Sequence, residues 1–307
     1  MKNMGMAVSI VLATLLAAPA FAMGESDHGQ AVVTILPNVA GKAHSTVNVQ
    51  DLSLKVAGKD ASVTKWERYK SPASKMELVL LFDDSARTSI GNQRPEIEKF
   101  INGLAPGTKA VIAYMDYGKV EFAGPLTADH AAVLRGLRLP SGLPGSSAGA
   151  YFCLSYLAKH WPGQDVRARR EVVMVTNGLS YYQTQFDPYS PDVVAAIDDS
   201  TRAGLLVYSI YWADQGRAGG FGSFSGQSTL GYVTEATGGR NFWMGTGDPV
   251  SFGPYFEELN NRFQNQYKLG FVGSGGAKSS LEPMKVKLSV PGSKVDAPSQ
   301  VLVVPGL

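Results

Sequence analysis

Two adjacent carboxylates, a hydroxyl and a cation stand in a row at Asp83-Asp84-Ser85-Ala86-Arg87, directly after the apolar run Leu78-Val79-Leu80-Leu81-Phe82. Carboxylate and hydroxyl oxygens delivered together from the end of a buried strand suit a hard divalent cation. Arg87 argues against one, because a guanidinium stays charged and repels a metal held nearby. The expectation is no functional metal, with Arg87 pairing Asp83 or Asp84. A weak magnesium site on Asp83 and Ser85 with Asp84 or Ser147 is the alternative.

Other constellations with chemical potential are weaker. Gly145-Ser146-Ser147-Ala148-Gly149 matches Gly-x-Ser-x-Gly, which presents a nucleophilic serine on a strand-to-helix turn. The prolines between Leu139 and Pro144 forbid the central strand that such a turn needs. His160 lies about three and a half helical turns further on, out of reach of Ser147. Ser147 therefore reads as a capping hydroxyl, and a Ser147 hydrolase is the disfavoured alternative. His28, His44, His130 and His160 show no metal-ligand spacing, and Asp198-Asp199 reads as a solvated helix face. Cys153, the single cysteine, reads as a buried, inert thiol. Tyr181, Tyr182, Phe186 and Tyr189 offer large amphipathic contact area on one loop. They serve either as a binding surface or as a lid packed over the sheet edge. The same pair of readings applies to Trp212, Phe221 and Phe224 in the stretch ending at Gly226.

The elements that position these residues follow from hydrophobic period. Apolar strands at Glu77 to Phe82, Lys109 to Met115, Val120 to Phe122, Glu171 to Thr176, Leu205 to Tyr211 and Arg240 to Trp243 alternate with amphipathic helices. The helices are placed at Arg94 to Leu104, Asp129 to Leu137, Ala148 to Lys159, Pro191 to Ala203, Ser228 to Thr237 and Pro254 to Gln266. That alternation predicts an α/β, doubly wound, mostly parallel sheet over residues 77–266, with ligands at the carboxyl edge of its strands. Residues 31–72 and 267–305 instead carry short strand patterns. Neither flank is long enough for its own core, so the two are expected to pair into one small β-sheet or sandwich.

Residues 1–22 read as a secretory signal, with an apolar stretch from Ala7 to Ala18 and an Ala-x-Ala site at Ala20-Phe21-Ala22. Residues 23–30 are expected to be a flexible N-terminus. The apolar stretch is short for a membrane span, so the product is expected to be exported, periplasmic or secreted, with no span after cleavage. A net charge of +2 with scattered Lys and Arg gives no basic stripe for nucleic acid.

The Asp83-x-Ser85 strand end, the Thr176-Asn177-Gly178 turn and the strand-helix order together resemble a von Willebrand factor type A domain. Such domains carry a metal-ion-dependent adhesion site of Asp-x-Ser-x-Ser, a distant Thr and a later Asp. Here Arg87 stands at the second Ser, Ala148 or Ser147 at the Thr, and Asn177 at the Asp. Losing a carboxylate and gaining a cation shifts the local charge by about two units, and unit charges ~4 Å apart interact by roughly 4 kcal/mol at an intermediate dielectric. The site the resemblance implies is thus degenerate. Thr237-Gly238-Gly239-Arg240, with the later Tyr267-Lys268-Leu269-Gly270, is similar to the VWFA-related family described from acidobacteria, whose members also carry an N-terminal β segment. The resemblance implies a non-enzymatic, adhesion-type module without a cofactor. An unknown protein partner would bind at an edge formed by Asp83, Asp84, Ser85, Arg87, Ser147, Asn177, Tyr181, Tyr182 and Trp212. A structural role in envelope assembly, or weak magnesium-dependent binding, is the alternative.

Overall fold

The chain opens with β1 (Gly29–Pro37), β2 (Leu52–Val56), β3 (Lys59–Asp60) and β4 (Ser62–Arg68). An alternating unit follows: β5 (Met76–Asp83), α1 (Arg94–Asn102), β6 (Lys109–Asp116), β7 (Lys119–Phe122), α2 (His130–Arg135), α3 (Ala150–Lys159), β8 (Arg169–Thr176), α4 (Pro191–Ala203), β9 (Leu205–Tyr211), α5 (Gly219–Ala236), β10 (Asn241–Phe242) and α6 (Gly253–Gln264). It closes with β11 (Gln266–Val272), β12 (Ser280–Leu288), β13 (Ser293–Asp296) and β14 (Gln300–Val303). The computed structural model describes residues 29–39, 46–69, 75–143, 148–182, 184–213, 219–245, 247–273 and 278–305. The expected signal segment, Gly145, Ser146 and Ser147 lie outside them.

The middle unit is a six-stranded sheet of order β10-β9-β8-β5-β6-β7, parallel except for the edge strand β7. Every residue of β5 is buried, which a strand covered on both faces requires. Alternate side chains go to opposite faces. Val79, Leu81, Val111 and Ala113 pack with α3, α4 and α5, while Leu78, Leu80, Phe82 and Ile112 pack with α1 and α6. The chain leaves β5 in one direction to β6 and later returns on its other side as β8. The crevice between the carboxyl ends of β5 and β8 is therefore the switch point where doubly wound sheets hold ligands. Phe82 pairs with Val175 in register, so Asp83 and Thr176 emerge side by side.

The flanking segments form one antiparallel sheet of order β3-β2-β12-β14-β1-β11-β4, with β13 also on β1. Strands from the two chain ends interleave: β1 and β4 both pair β11, and β2 pairs β12. Their shared core is Val33, Ile35, Leu54, Val56, Leu269 and Phe271 among others. β1 begins at Gly29, inside the span expected to be a flexible N-terminus.

One helix departs from expectation. The sequence pattern predicts a helix from Ser228 to Thr237 only. The helix instead starts at Gly219. Glycine lowers helix propensity by about 1 kcal/mol per site, so the pattern reads as loop. Gly226 is nevertheless needed: a Cβ there would lie 2.0 Å from the Asn177 carbonyl oxygen. Among the described residues no helix is long and apolar enough to cross a membrane.

Candidate functional site at the carboxyl edge

Asp83 ends β5 almost fully buried and turns its carboxylate onto its own loop and the neighbouring strand. Its Oδ1 accepts from the Ser85 amide at 2.9 Å and the Ser85 hydroxyl at 2.6 Å. Its Oδ2 accepts from the Thr176 hydroxyl at 2.7 Å. The two strand ends that form the crevice are thus tied together by one carboxylate. Thr176 is fully buried and also receives the Gly178 amide at 3.4 Å.

Asp84 faces elsewhere. Its guanidinium partner is Arg138, with NH2 to Oδ2 at 3.3 Å and NH1 to Oδ1 closer still, whereas the sequence placed Arg87 there. Ser141 adds its amide to Oδ1 at 3.0 Å and its hydroxyl to Oδ2 at 2.8 Å. Burial works against ionisation at Asp84, but the hydrogen bonds from Arg138 and Ser141 outweigh it and hold the carboxyl below its usual range. Arg138 is itself fixed: its guanidinium lies 3.7 Å from the centroid of the Tyr114 ring, and its amide donates to the Tyr114 hydroxyl at 2.7 Å. Arg87 is exposed. Its charge acts on Asp248, whose carboxyl burial pushes up while the Ala213 amide and Arg87 pull it back.

Asn177 follows β8 half-buried, and its Oδ1 accepts the Leu179 amide at 3.0 Å, a local Asx turn rather than a ligand pose. The next loop carries the aromatics. Tyr181 and Tyr182 are 61% and 59% exposed. Each sits edge-on to Phe152 of α3, at 5.6 and 5.9 Å, and 5.6 Å from the other. Buried Asp192, in the first turn of α4, organises the loop beneath them. It accepts from the Tyr181 amide at 2.9 Å, the Ser180 hydroxyl at 3.0 Å and the Ser190 hydroxyl at 2.7 Å. Tyr189 is exposed, and Phe186 leans on Tyr232 of α5. Trp212 leaves the expected binding edge: it is 3% exposed and packs edge-on against Phe252 in the core. Phe224 is exposed on α5, while the side chain of Phe221 lies outside the described residues.

As a magnesium site these donors fit poorly. Asp83 brings one carboxylate, Ser85 and Thr176 bring neutral hydroxyls, and Asn177 brings an amide already engaged. Arg138 cancels the charge of Asp84. One net negative charge falls short of what a divalent cation held by protein oxygens needs. Among the described residues no group of three or more His, Cys, Asp or Glu converges as ligands. For nucleophilic chemistry the nearest arrangement is Ser155, whose hydroxyl donates to Asp199 at 2.5 Å while Lys159 pairs that carboxylate at 2.7 Å. With its acid and base spent on each other, the group has no free general base. Cys153 is fully buried, and burial pushes its thiol up to about 12.

Arg138, Ser141, Thr176 and Asp192 were not singled out from the sequence. Thr176 alone had a signal, as the residue before Asn177-Gly178. Arg138 reaches Asp84 across 54 residues with no spacing that announces it.

No family model matches the chain, and no curated protein does. Among solved structures it is similar to an aerotolerance-related membrane protein from Bacteroides fragilis, at 14% identity over 61% of this chain and 98% of that one, with a TM-score of 0.44. It is also similar to the hypothetical protein BatB from Bacteroides thetaiotaomicron, at 10% identity, 61% and 96% coverage and a TM-score of 0.45. A third is manganese-loaded TRAP from Plasmodium vivax, at 12% identity, 78% and 97% coverage and a TM-score of 0.42.

Proposed function

We propose that this protein is an exported, non-enzymatic binding module that engages a protein partner, without a metal, at the carboxyl edge of its parallel sheet. The observation that carries the reading is the pair Tyr181 and Tyr182, more than half exposed on a loop that Asp192 already organises. Exposed aromatics are the side chains that dominate binding energy at interfaces. A loop ordered in advance also loses less entropy on association. The edge carboxylates support the same reading, because their acceptor capacity is taken up internally by Ser85, Thr176, Arg138 and Ser141.

A photo-reactive residue placed at Tyr182 tests this in cells. Val166, exposed in the turn that precedes β8 at the opposite edge, is the control position. Illumination should give a discrete adduct from Tyr182 and none from Val166, and the adduct should survive EDTA. Equal adducts from both positions, or none, would refute the edge as the binding face. Loss in EDTA would restore the metal-dependent reading. Export is checked separately by N-terminal sequencing of the product from the exported fraction, which should begin at Met23.

A further inference from the structure

A cleft of about 570 Å³ runs beside the Tyr181 loop, bounded by α3 and the β6–β7 hairpin. Its lining includes Phe152 and Tyr156 of α3 and His160 at the helix's C-cap, spaced by four residues along one side of the helix. Tyr156 and His160 lie ring on ring at 4.1 Å. Tyr181 and Tyr117 also line it. Tyr117 is the odd residue here. It occupies the tip of a two-residue hairpin turn with φ 44, followed by Gly118 at φ 87, a conformation that favours Asn, Asp or Gly. A tyrosine is held there against its backbone preference, with 68% of its surface exposed. Strain of that kind, carried by an exposed ring, points to use.

We propose that this cleft seats a proline-rich segment of the partner in the polyproline II conformation, with an acidic residue beside the prolines. The inference rests on the carboxyl edge being the binding face. Aromatic-lined grooves take polyproline II segments because the ligand is already extended and loses little entropy, while its prolines slot between rings. The stripe from Phe152 to His160 is about 12 Å long, which matches about four residues at ~3.1 Å each. A glycan would instead need planar amides or carboxylates to sort its hydroxyls. Among the described lining residues there are none; the polar groups are Lys119, Lys159, His160 and Ser155 with the tyrosine hydroxyls. Asp199 already answers Lys159 and Ser155. With Lys159 answered, Lys119 is the cation that the described lining leaves to a ligand, and no acid lines the cleft, which sets the sign of the flanking residue on the ligand.

The test selects a phage-displayed library of random dodecapeptides on the full mature protein, followed by fluorescence anisotropy of synthetic peptides from the winners. Enrichment of Pro-x-x-Pro cores with a neighbouring Asp or Glu is expected. Affinity should fall about tenfold or more in Tyr117→Gly and Tyr181→Ala, as for central aromatic anchors. Glycine suits a positive φ, so Tyr117→Gly removes the ring without unfolding the turn. Replacing the peptide's acid with lysine should weaken it as well. Winners without proline, no enrichment, or binding unchanged in both variants would overturn the inference, as would capture of a glycan on an array with the same mutational profile. If the selected peptides lose binding in Arg138→Ala but not in Tyr117→Gly, the cleft is wrong while the carboxyl edge stands. If Tyr182 also yields no adduct in cells, both fail.

Discussion

Replacing Glu171 with Gln should remove a pH dependence of stability that this fold builds in. Glu171 lies on β8 where the parallel sheet meets the antiparallel one, with none of its surface exposed. Neither carboxylate oxygen has a hydrogen-bond partner of standard geometry among the described residues. Burial pushes its carboxyl from 4.5 up to about 7, tempered by the charge of Arg169 and by Gln266 and Tyr208 nearby. Arg169 is largely spent elsewhere, on the Phe263 carbonyl at 2.9 Å and on Gln266. Between 4.5 and about 7 the folded protein holds a proton that the unfolded chain has released. Stability therefore falls as pH rises through that window and levels off above it. At about 1.4 kcal/mol for each tenfold change in proton affinity, the loss amounts to roughly 3 kcal/mol.

The assay is urea denaturation of both proteins at several pH values from about 4 to about 8. Whatever the buried amide of Gln costs is independent of pH, so the quantity to read is the change in the difference between the two. The Gln variant should gain roughly 3 kcal/mol on the parent across the window. Parallel profiles would refute the reasoning, and would mean that Glu171 finds a partner that holds it ionised.

Arg138→Ala should destabilise the protein by about 1–2 kcal/mol at neutral pH, since Asp84 would keep Ser141 and lose its guanidinium. Because the folded carboxyl is held below its usual range, that deficit should shrink as pH falls far enough to protonate Asp84 in both states, which denaturation at about pH 7 and about pH 3 would show. Gly226→Ala forces a methyl to within 2.0 Å of the Asn177 carbonyl; it should cost about 1–3 kcal/mol by thermal unfolding and shift the amide resonances of Asn177 and Gly178. Cys153 should resist Ellman's reagent in the native protein and react fully in denaturant, as expected of a thiol pushed up to about 12 and fully buried.

What was legible in the sequence was what burial writes into it. The strands β5, β6, β8 and β9 appear as apolar runs because both faces of the sheet are covered, and in the flanks β2 and β12 appear as alternating patterns because one face is more exposed. A special backbone demands glycine where Gly204 ends α4 at φ 67. The start of α5 was not legible because Gly226 serves close approach to the Asn177 loop, and propensity cannot register a contact with a distant carbonyl. Trp212 read as a loop residue because the boundary of β9 was visible but not the position of Phe252, which fills the space beside it. Arg138 was missed for the same reason: ion pairing across chain-distant loops leaves no period.

The different fates of Asp83 and Asp84 follow from strand geometry. Successive residues at a strand end diverge to opposite sides, so a single pair of adjacent acids is shared between two neighbourhoods. Asp83 turns toward β8 and accepts hydrogen bonds from the Ser85 and Thr176 hydroxyls. Asp84 turns toward the loop after α2 and meets Arg138. A cation at the switch point would compete for the first carboxylate alone, because the second is already neutralised on the far side of the chain. The charge of the exposed Arg87 guanidinium lowers the carboxyl of Asp248, whose carboxylate accepts the Ala213 amide at 2.7 Å at the end of β9. The loop after β5 thus commits Asp83 and Asp84 to hydrogen bonds within the chain, and on the proposed reading contact with a partner falls to the aromatic loop beside it.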